Sequence, residues 1–220
     1  LNNTGILAGA SGAVGGGDGD SYNPKRSTRF NPADSALLNR TPTSVGNRKT
    51  WTYSCWMKRT DLGGATQRSL LLANYTSQGG NDNNYLQYGF TGEELQLAGY
   101  STFFFKATPA FRDPTAWMHL VLSVDTTNAT ADNRIRLYVN GSEVEDFSTR
   151  NNPSQDQDLA VSRTEIHSIG KLGTTNYLGA YLADIHMVDG LALGPGYFGY
   201  TDPLTNTWRP KKFRAEGTTV

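Results

Sequence analysis

The stretch Arg134-Ile-Arg-Leu-Tyr-Val-Asn-Gly141 decides the fold class of this chain. Its apolar residues recur at every second position, which is typical of a strand that buries one face. The Asn140-Gly141 pair at its end is the strongest short hairpin signal, because both central residues of a type I′ turn need positive φ. We therefore predict a strand over 134–139 and a return strand over 142–147.

The same alternation occurs upstream in Trp117-Met-His-Leu-Val-Leu-Ser-Val-Asp125. Its even-numbered residues form an apolar face, and we expect His119 on the other face to be a surface or inter-sheet polar group. The polar loop 126–133 is predicted to join this strand to the next. Gly, Pro, Asn and Asp separate the segments, and no window shows helical periodicity, so we predict an all-β fold, a two-sheet antiparallel sandwich. Further strands are predicted at 29–30, 36–40, 51–58, 69–74, 85–90, 95–98, 103–107, 165–169 and 181–188.

The two ends of the chain differ from this sandwich, which we place at 27–200. Residues 1–26 are rich in Gly, Asn, Ser and Asp and cannot bury enough apolar surface to offset their ordering entropy. We predict an extended Gly-rich arm there, either a plain linker or an arm ordered on a neighbouring subunit. Residues 201–220 are predicted to be an extended tail, and we expect the chain to be part of a longer one. The candidate assembly residues of the arm are Asn2, Asn3, Gly5, Ile6 and Leu7.

Composition excludes several classes of function. The 20 acidic and 20 basic residues cancel, whereas a nucleic-acid-binding protein normally has a basic excess. No run of about 18 apolar residues is present, so no membrane insertion is predicted. The single cysteine, Cys55, excludes an intrachain disulfide, and its position among apolar strand residues predicts a buried thiol. A neutral partner, either a glycan or another protein, fits this composition best.

The order of several motifs resembles a known superfamily. They are Trp51-Thr-Tyr-Ser-Cys-Trp-Met-Lys58, Trp117 to Asp125, Arg136-Leu-Tyr-Val-Asn-Gly141 and Gly179-Ala-Tyr-Leu-Ala-Asp-Ile-His186. Together they are similar to the concanavalin A-like lectin/glucanase superfamily, in particular its laminin-G and pentraxin-like branch. The resemblance covers about residues 27–190 and implies a jelly roll of two curved antiparallel sheets.

The two ends resemble a narrower group of proteins. Asn2-Asn-Thr-Gly-Ile-Leu-Ala-Gly-Ala-Ser-Gly12 and the segment Phe198 to Lys212 are similar to virion proteins of marine tailed phages. This resemblance implies a non-enzymatic structural protein of a fibre, knob or capsid decoration. Such a protein is made in the bacterial cytoplasm and displayed on the virion surface, with other virion proteins, further copies of itself and a host glycan as candidate partners. The alternative is a laminin-G-like adhesion module of a bacterium or a host.

The superfamily that these motifs resemble also includes glycoside hydrolases, which need two carboxylates in one cleft. Glu143 and Glu145 share a strand face but directly follow the Asn140-Gly141 turn, and Glu93-Glu94 also lies in a predicted turn. These groups are typical of solvated turn charges, so we predict no enzyme activity. Asp184 and His186 share a strand face without a third ligand or a nucleophile nearby, which is too few groups for a zinc site. The other histidines, His119 and His167, lie on separate strands.

The sequence offers one candidate sugar site and one candidate metal site. An aromatic platform with amide and carboxylate groups is the usual chemistry of sugar binding, although a long polar loop would have the same composition. Calcium prefers the oxygens of Asp and Asn at loops, which also favour turns. No other cofactor is expected. The candidate sugar ligands are Tyr75, Asn81, Asp82, Asn83, Tyr85 and Tyr100, and the candidate calcium ligands are Asp125, Asp132 and Asn133.

Overall fold

The computed structural model describes residues 22–62, 67–73, 85–99, 103–172 and 176–214. Within these ranges the regular elements are antiparallel strands and short 3-10 turns, which confirms the predicted all-β sandwich. The candidate arm residues Asn2, Asn3, Gly5, Ile6 and Leu7 lie outside the described residues, and the division of the chain at residues 26 and 200 stays a prediction.

The described strands form two large sheets and two small hairpins. The front sheet has the order β1-β15-β3-β8-β9-β10, and the back sheet has the order β11-β7-β6-β5-β4-β12-β2. The 3-10 turns cover Pro32–Asp34, Ala131–Asn133 and Pro195–Tyr197. In chain order the strands are β1 Thr28–Phe30, β2 Leu38–Arg40, β3 Thr50–Arg59, β4 Gln67–Ala73, β5 Leu86–Thr91, β6 Glu94–Gly99, β7 Phe103–Ala110, β8 Met118–Asp125, β9 Ile135–Val139, β10 Ser142–Glu143, β11 Phe147–Asn151, β12 His167–Ile169, β13 Lys171–Leu172, β14 Asn176–Tyr177, β15 Ala180–Asp189, β16 Gly199–Thr201 and β17 Trp208–Pro210.

The main core lies between the two sheets. Alternate residues of β3 and β8 point inward, so the predicted apolar faces are buried against the back sheet. Tyr53 meets Tyr88 of the back sheet edge to face, with ring centroids 6.1 Å apart. The inward residues of these two front strands are Trp51, Tyr53, Cys55, Met57, Met118, Leu120, Leu122 and Val124.

The predicted hairpin after β9 is confirmed, but its return strand is shorter than expected. Asn140 and Gly141 have φ of 50° and 83°, as a type I′ turn requires. Strand β10 ends at Glu143 and does not continue to residue 147. The chain crosses between the sheets after Val144, which is buried, and β11 pairs with β7 in the back sheet.

The outer face of the front sheet is also buried, which alternation alone did not predict. The segment after β15 folds back over β8 and β9, where Val121 and Tyr138 pack against Leu193 and Phe198. The hydroxyl of Thr52 donates to the carbonyl of Leu191 at 2.7 Å. The expectation that His119 is a surface or inter-sheet group is therefore wrong: it is buried beneath the C-terminal segment because apolar residues there cover its face.

Part of the predicted extended tail forms a hairpin on this outer face. Strand β16 pairs with β17, and the amide of Lys211 donates to the carbonyl of Phe198 at 2.9 Å. The indole of Trp208 on β17 lies against two glycines, Gly141 of the β9–β10 turn and Gly199 of β16. A Cβ atom added to either glycine would lie 2.5 Å from the Trp208 ring. These glycines therefore form a slot that accepts the indole.

A bulge in β15 sets which of its side chains face outward. Ala183 lies opposite Trp56 and His186 lies opposite Ser54, so one residue of β3 faces two of β15. Asp184, in the bulge, has a φ of 49°. The bulge lets Ile185 pack against the main core while His186 contacts the rings of the C-terminal segment.

Substitutions at three glycines distinguish the stability cost of backbone strain from the cost of filling the slot that holds Trp208. Gly190 has a φ of 82° with nothing within 4 Å of an added Cβ. A Cβ on Gly199 would lie 2.5 Å from the Trp208 ring, and Gly141 combines this close contact with a φ of 83°. We expect Gly190→Ala to cost about 1 kcal/mol of unfolding free energy through strain, Gly199→Ala about 1–3 kcal/mol through overpacking, and Gly141→Ala more than either. Urea denaturation of the purified variants measures these costs. Equal losses for Gly190→Ala and Gly141→Ala would show that the slot does not hold Trp208.

Candidate functional site

A groove of about 370 Å³ opens on the outer face of the front sheet. The N-terminal segment 23–27 lies on one side of it and the C-terminal strand β17 on the other. Strands β3 and β15 form its base, and Trp117 lies directly before β8. The complete lining is Asn23, Pro24, Lys25, Arg26, Ser27, Trp56, Trp117, Ala183, Trp208, Arg209 and Pro210.

Trp56 forms the base of the groove because it points outward from the centre of the front sheet. It lies opposite His119 on β8 and Ala183 on β15, whereas its neighbours Cys55 and Met57 point into the main core. The Trp56 side chain is buried, and its indole Nε1 has no hydrogen-bond partner among the described residues. Since this nitrogen is enclosed by protein atoms, Trp56 gives the groove a buried, apolar base.

His119 lies between two tryptophan rings. Its ring centroid is 5.0 Å from that of Trp56 and 5.9 Å from that of Trp208, at interplanar angles of 25° and 22°. The indole Nε1 of Trp208 donates to His119 Nδ1 at 3.0 Å. Because an indole nitrogen only donates, the imidazole proton lies on Nε2, which donates to the hydroxyl of Ser54 at 2.9 Å. This stack attaches the C-terminal hairpin to the sheet.

The imidazole in the stack is neutral. Burial, together with the nearby His186, lowers the pKa of His119 to about 3. A proton on Nδ1 would also remove the acceptor that Trp208 uses. His119 therefore acts as a positioning residue that orients both indoles, and it does not supply a cation or a proton to the groove.

Trp117 supplies an open aromatic surface at the groove. Its side chain is 40% exposed, in contrast to the buried Trp56. The N-terminal segment opposite is held by the Tyr22 hydroxyl, which donates to the Asp184 carboxylate at 2.6 Å. Burial, together with this hydrogen bond, raises the pKa of Tyr22 to about 12, so the hydroxyl keeps its proton. The segment adds the amide of Asn23 and the hydroxyl of Ser27 to the lining.

The charge of the groove is positive although the chain has a formal net charge of 0. Lys25, Arg26 and Arg209 line it, and its described lining contains no Asp or Glu. Arg209 has a distant ion pair with Asp202, at 3.7 Å. The groove is therefore locally basic, although acidic and basic residues balance over the whole chain.

The candidate sugar site in the sequence falls largely outside the described residues. Tyr75, Asn81, Asp82, Asn83 and Tyr100 belong to ranges that the structure does not describe. Tyr85 is described, and it lies half-buried directly before β5 in the back sheet. This site stays a prediction, at a different place from the groove.

The calcium candidates serve as turn and loop contacts in the structure. Asp125 accepts from the amide and the hydroxyl of Thr127, at 3.1 and 2.5 Å. Asp132 accepts from the side-chain amide of Asn152 at 2.6 Å, and Asn133 ends a 3-10 turn. No group of three or more His, Cys, Asp or Glu side chains that could hold a metal ion occurs in the described ranges. Calcium stays a prediction.

The carboxylates considered for hydrolysis lie in surface ion pairs or at exposed positions. Glu145 is exposed after the hairpin, and the remaining candidates each contact a basic side chain. None of them lines the groove. The pairs are Glu143 with Arg136, Glu93 with Arg112 at 2.5 Å, and Glu94 with Lys106 at 2.9 Å.

The Cys55 thiol is buried, and the two remaining histidines, His167 and His186, contact other residues of the fold. Cys55 is buried as predicted, and burial raises its pKa to about 12, so it remains a protonated thiol. His167 Nε2 accepts from the amide of Ser162 at 3.1 Å. His186 packs against Phe198 and Phe213, with ring centroids 5.6 and 5.2 Å away.

Comparison with known families agrees with this architecture. A laminin-G-type model of the concanavalin A-like lectin/glucanases superfamily matches residues 33–191. The chain belongs to this superfamily. The match confirms that the strand motifs resemble this superfamily. It covers the front-sheet strands that form the base of the groove, but it does not include segments 23–27 and 208–210 at the sides of the groove. No curated protein sequence matches this superfamily member significantly.

Solved structures resemble this superfamily member in fold. The binding domain of Paraclostridial Mosquitocidal Protein 1 superposes with a TM-score of 0.53 at 12% identity, over 77% of this chain and 41% of that one. A heptameric SAP-like pentraxin from Limulus polyphemus gives 0.44 at 11% identity, over 69% and 68% of the two chains. The CBM40 of a Ruminococcus gnavus IT-sialidase, bound to alpha2,3 sialyllactose, gives 0.45 at 15% identity, over 73% and 93%. The chain thus spans about two fifths of the length of the first of these structures.

Among the residues that the structure describes, no helix is long and apolar enough to cross a bilayer.

The buried imidazole predicts a pH-dependent stability. Because the pKa of His119 is lowered from 6.5 to about 3, the unfolded chain binds this proton first as the pH falls, and stability decreases below about pH 6.5. One proton corresponds to about 1.4 kcal/mol per pH unit. We expect His119→Gln to flatten the pH dependence of the unfolding free energy between about pH 6 and pH 4, measured by urea denaturation.

The control for this experiment is His167→Gln. Burial also lowers the pKa of His167, but this residue contacts Ser162 and not the tryptophans. Its substitution should flatten the pH dependence less and leave the Trp208 environment, followed by tryptophan fluorescence, unchanged. An unaltered pH slope in His119→Gln would contradict the proposed neutral stack.

Proposed function

We propose that this chain is a carbohydrate-binding module without catalytic activity and that the tryptophan-lined groove is its binding site. The observation that carries this proposal is the arrangement of Trp56, Trp117 and Trp208 around one groove on the outer face of the front sheet. The groove volume of about 370 Å³ is in the range of small-ligand sites.

The chemistry of the lining suits a sugar. The exposed face of Trp117 offers an apolar surface for the C–H face of a pyranose ring. Asn23 and Ser27 offer groups that both donate to and accept from hydroxyls. Arg209 offers further donors from the other side of the groove. A sugar would therefore combine ring stacking with hydrogen bonds from opposite sides of the groove.

The lining also favours binding over hydrolysis. Glycoside hydrolases use a pair of carboxylates on either side of the scissile bond. The described lining of the groove contains no Asp or Glu, and the buried His119 is neutral. The structure with the TM-score of 0.53 is itself named as a binding domain, which agrees with a binding role.

We also propose that this module belongs to a virion appendage of a tailed phage, a fibre, a knob or a capsid decoration displayed on the virion surface. The support is the resemblance of the segments Asn2 to Gly12 and Phe198 to Lys212 to phage virion proteins. Its partners would be other virion proteins, further copies of itself and a host surface glycan. A laminin-G-like adhesion module would use the same groove but would not need the Gly-rich arm for assembly.

The binding proposal predicts the effect of removing the exposed indole. We expect Trp117→Ala to weaken binding of any oligosaccharide that the intact chain recognises on a glycan array by about tenfold or more, because the stacking surface is lost. Isothermal titration measures the affinity. The matched control is Ile166→Ala, since Ile166 is 41% exposed and Trp117 is 40% exposed, and only Trp117 lines the groove. An array without any binding would contradict the proposal.

The virion proposal predicts a role for the Gly-rich arm. We expect the full chain to associate and a variant lacking residues 1–21 to remain monomeric, as measured by size-exclusion chromatography with light scattering. The truncation keeps Tyr22 and its hydrogen bond to Asp184, so the groove stays intact. The same oligomeric state for both proteins would contradict an assembly function of the arm.

A further inference from the structure

We propose that the groove selects acidic saccharides, sugars that carry a carboxylate or a sulfate group. This inference rests on the proposed function, that the groove binds carbohydrate. It adds the charge of the ligand, which the aromatic surfaces alone do not determine.

The first argument is the distribution of charge. Three cationic side chains line the groove without any acidic side chain in its described lining. The whole chain carries 20 acidic and 20 basic residues, so this clustering is a local feature. Several like charges around one concave surface raise the local concentration of an anion. The three cations are Lys25, Arg26 and Arg209.

The second argument is that two of these three charges lack a counter-charge. Within the described part of the chain, neither Lys25 nor Arg26 has an ion pair, although eight other basic residues do, among them Arg209 with Asp202 at 3.7 Å. The nearby carboxylate of Asp184 accepts the hydroxyl of Tyr22 at 2.6 Å and anchors the segment that carries both cations. An anionic ligand group would therefore be the counter-charge of this segment.

The third argument is the excess of donors in the groove. Ammonium, guanidinium and indole N–H groups donate hydrogen bonds and accept none. Lys25 and Arg26 supply such donors from one side of the groove and Arg209 from the other. A carboxylate or a sulfate presents only acceptors to such a site, whereas a neutral sugar hydroxyl also brings a donor that needs an acceptor.

The size and total charge favour a saccharide over a nucleic acid. Nucleic-acid binding sites neutralise many phosphates and normally belong to proteins with a basic excess. This chain has no such excess, and the groove of about 370 Å³ matches a few sugar units with one or two acidic groups.

Isothermal titration with paired oligosaccharides tests the proposal. Trigalacturonic acid is compared with its methyl ester, and a sulfated chondroitin disaccharide with the unsulfated one, so the two pairs distinguish carboxylate from sulfate recognition. We expect at least one acidic member to bind about tenfold or more tightly than its neutral or less charged counterpart. We also expect its affinity to fall as salt is raised, because the cations are partly exposed.

The variants assign this preference to the groove. Arg26→Gln should lower the affinity for the acidic sugar by about tenfold and bring it close to that of the neutral one. Arg40→Gln removes the same charge from an exposed site on β2 of the back sheet and should change nothing. Trp117→Ala should weaken both acidic and neutral sugars.

The outcomes separate the inference from the proposed function. Equal, Trp117-dependent binding of acidic and neutral sugars would overturn the acidic preference and leave a carbohydrate site. Binding of polyglutamate or single-stranded DNA as tight as the acidic sugar and unaffected by Trp117→Ala would overturn the preference as a general anion effect. No binding of these probes, together with an array without hits, would overturn the proposed function itself.

Discussion

Burial of both faces of the front sheet is the constraint on which the rest of the structure depends. Its inner face packs on the back sheet and its outer face on the C-terminal segment, so β8 has apolar residues buried on both sides. A polar group that is buried in a sheet covered on both faces is costly unless it is hydrogen-bonded. His119 meets this condition through Ser54 on one nitrogen and Trp208 on the other. The same contacts fix the hairpin that forms one side of the groove.

The groove is formed where the outer cover of the front sheet is incomplete. The C-terminal hairpin covers β8 and β9 and places Trp208 beside His119, while the N-terminal segment lies against Asp184 of β15. Trp56 lies between them and keeps a donor without a partner among the described residues. The open surface therefore combines a rigid aromatic base with side chains held by separate hydrogen bonds. Such preorganisation lowers the entropy cost of binding a flat, polar ligand.

The distribution of ionisable groups separates binding chemistry from catalytic chemistry in this fold. The candidate acids of the β5–β6 and β9–β10 turns contact basic side chains, and the buried Cys55 and His119 remain neutral. The cations at the groove, in contrast, lie on segments outside the two large sheets. The proposed recognition therefore depends on the terminal segments, whereas the sandwich provides the support on which they pack.

The sequence determined the sandwich, because side-chain alternation and turn chemistry are local properties. The inward faces of β3 and β8 and the positive φ of Asn140 and Gly141 follow from single segments. Strand lengths were less predictable, as β10 ended early where Val144 turned into the core. Large apolar residues at outward positions, such as Trp56 beside Cys55 and Val121 between Leu120 and Leu122, were local signs of a covered outer face.

Only the tertiary structure decided the site. Trp208 and His119 are 89 residues apart, and no local pattern states that a tail residue will fill a slot between two glycines. The burial of His119, its tautomer and its lowered pKa all follow from that long-range contact. The gathering of Lys25, Arg26 and Arg209 around one groove likewise brings together the two ends of the described chain. Such contacts depend on how the whole chain packs. Composition does not reveal this cluster of cations, because the acidic and basic residues of the whole chain sum to a net charge of 0.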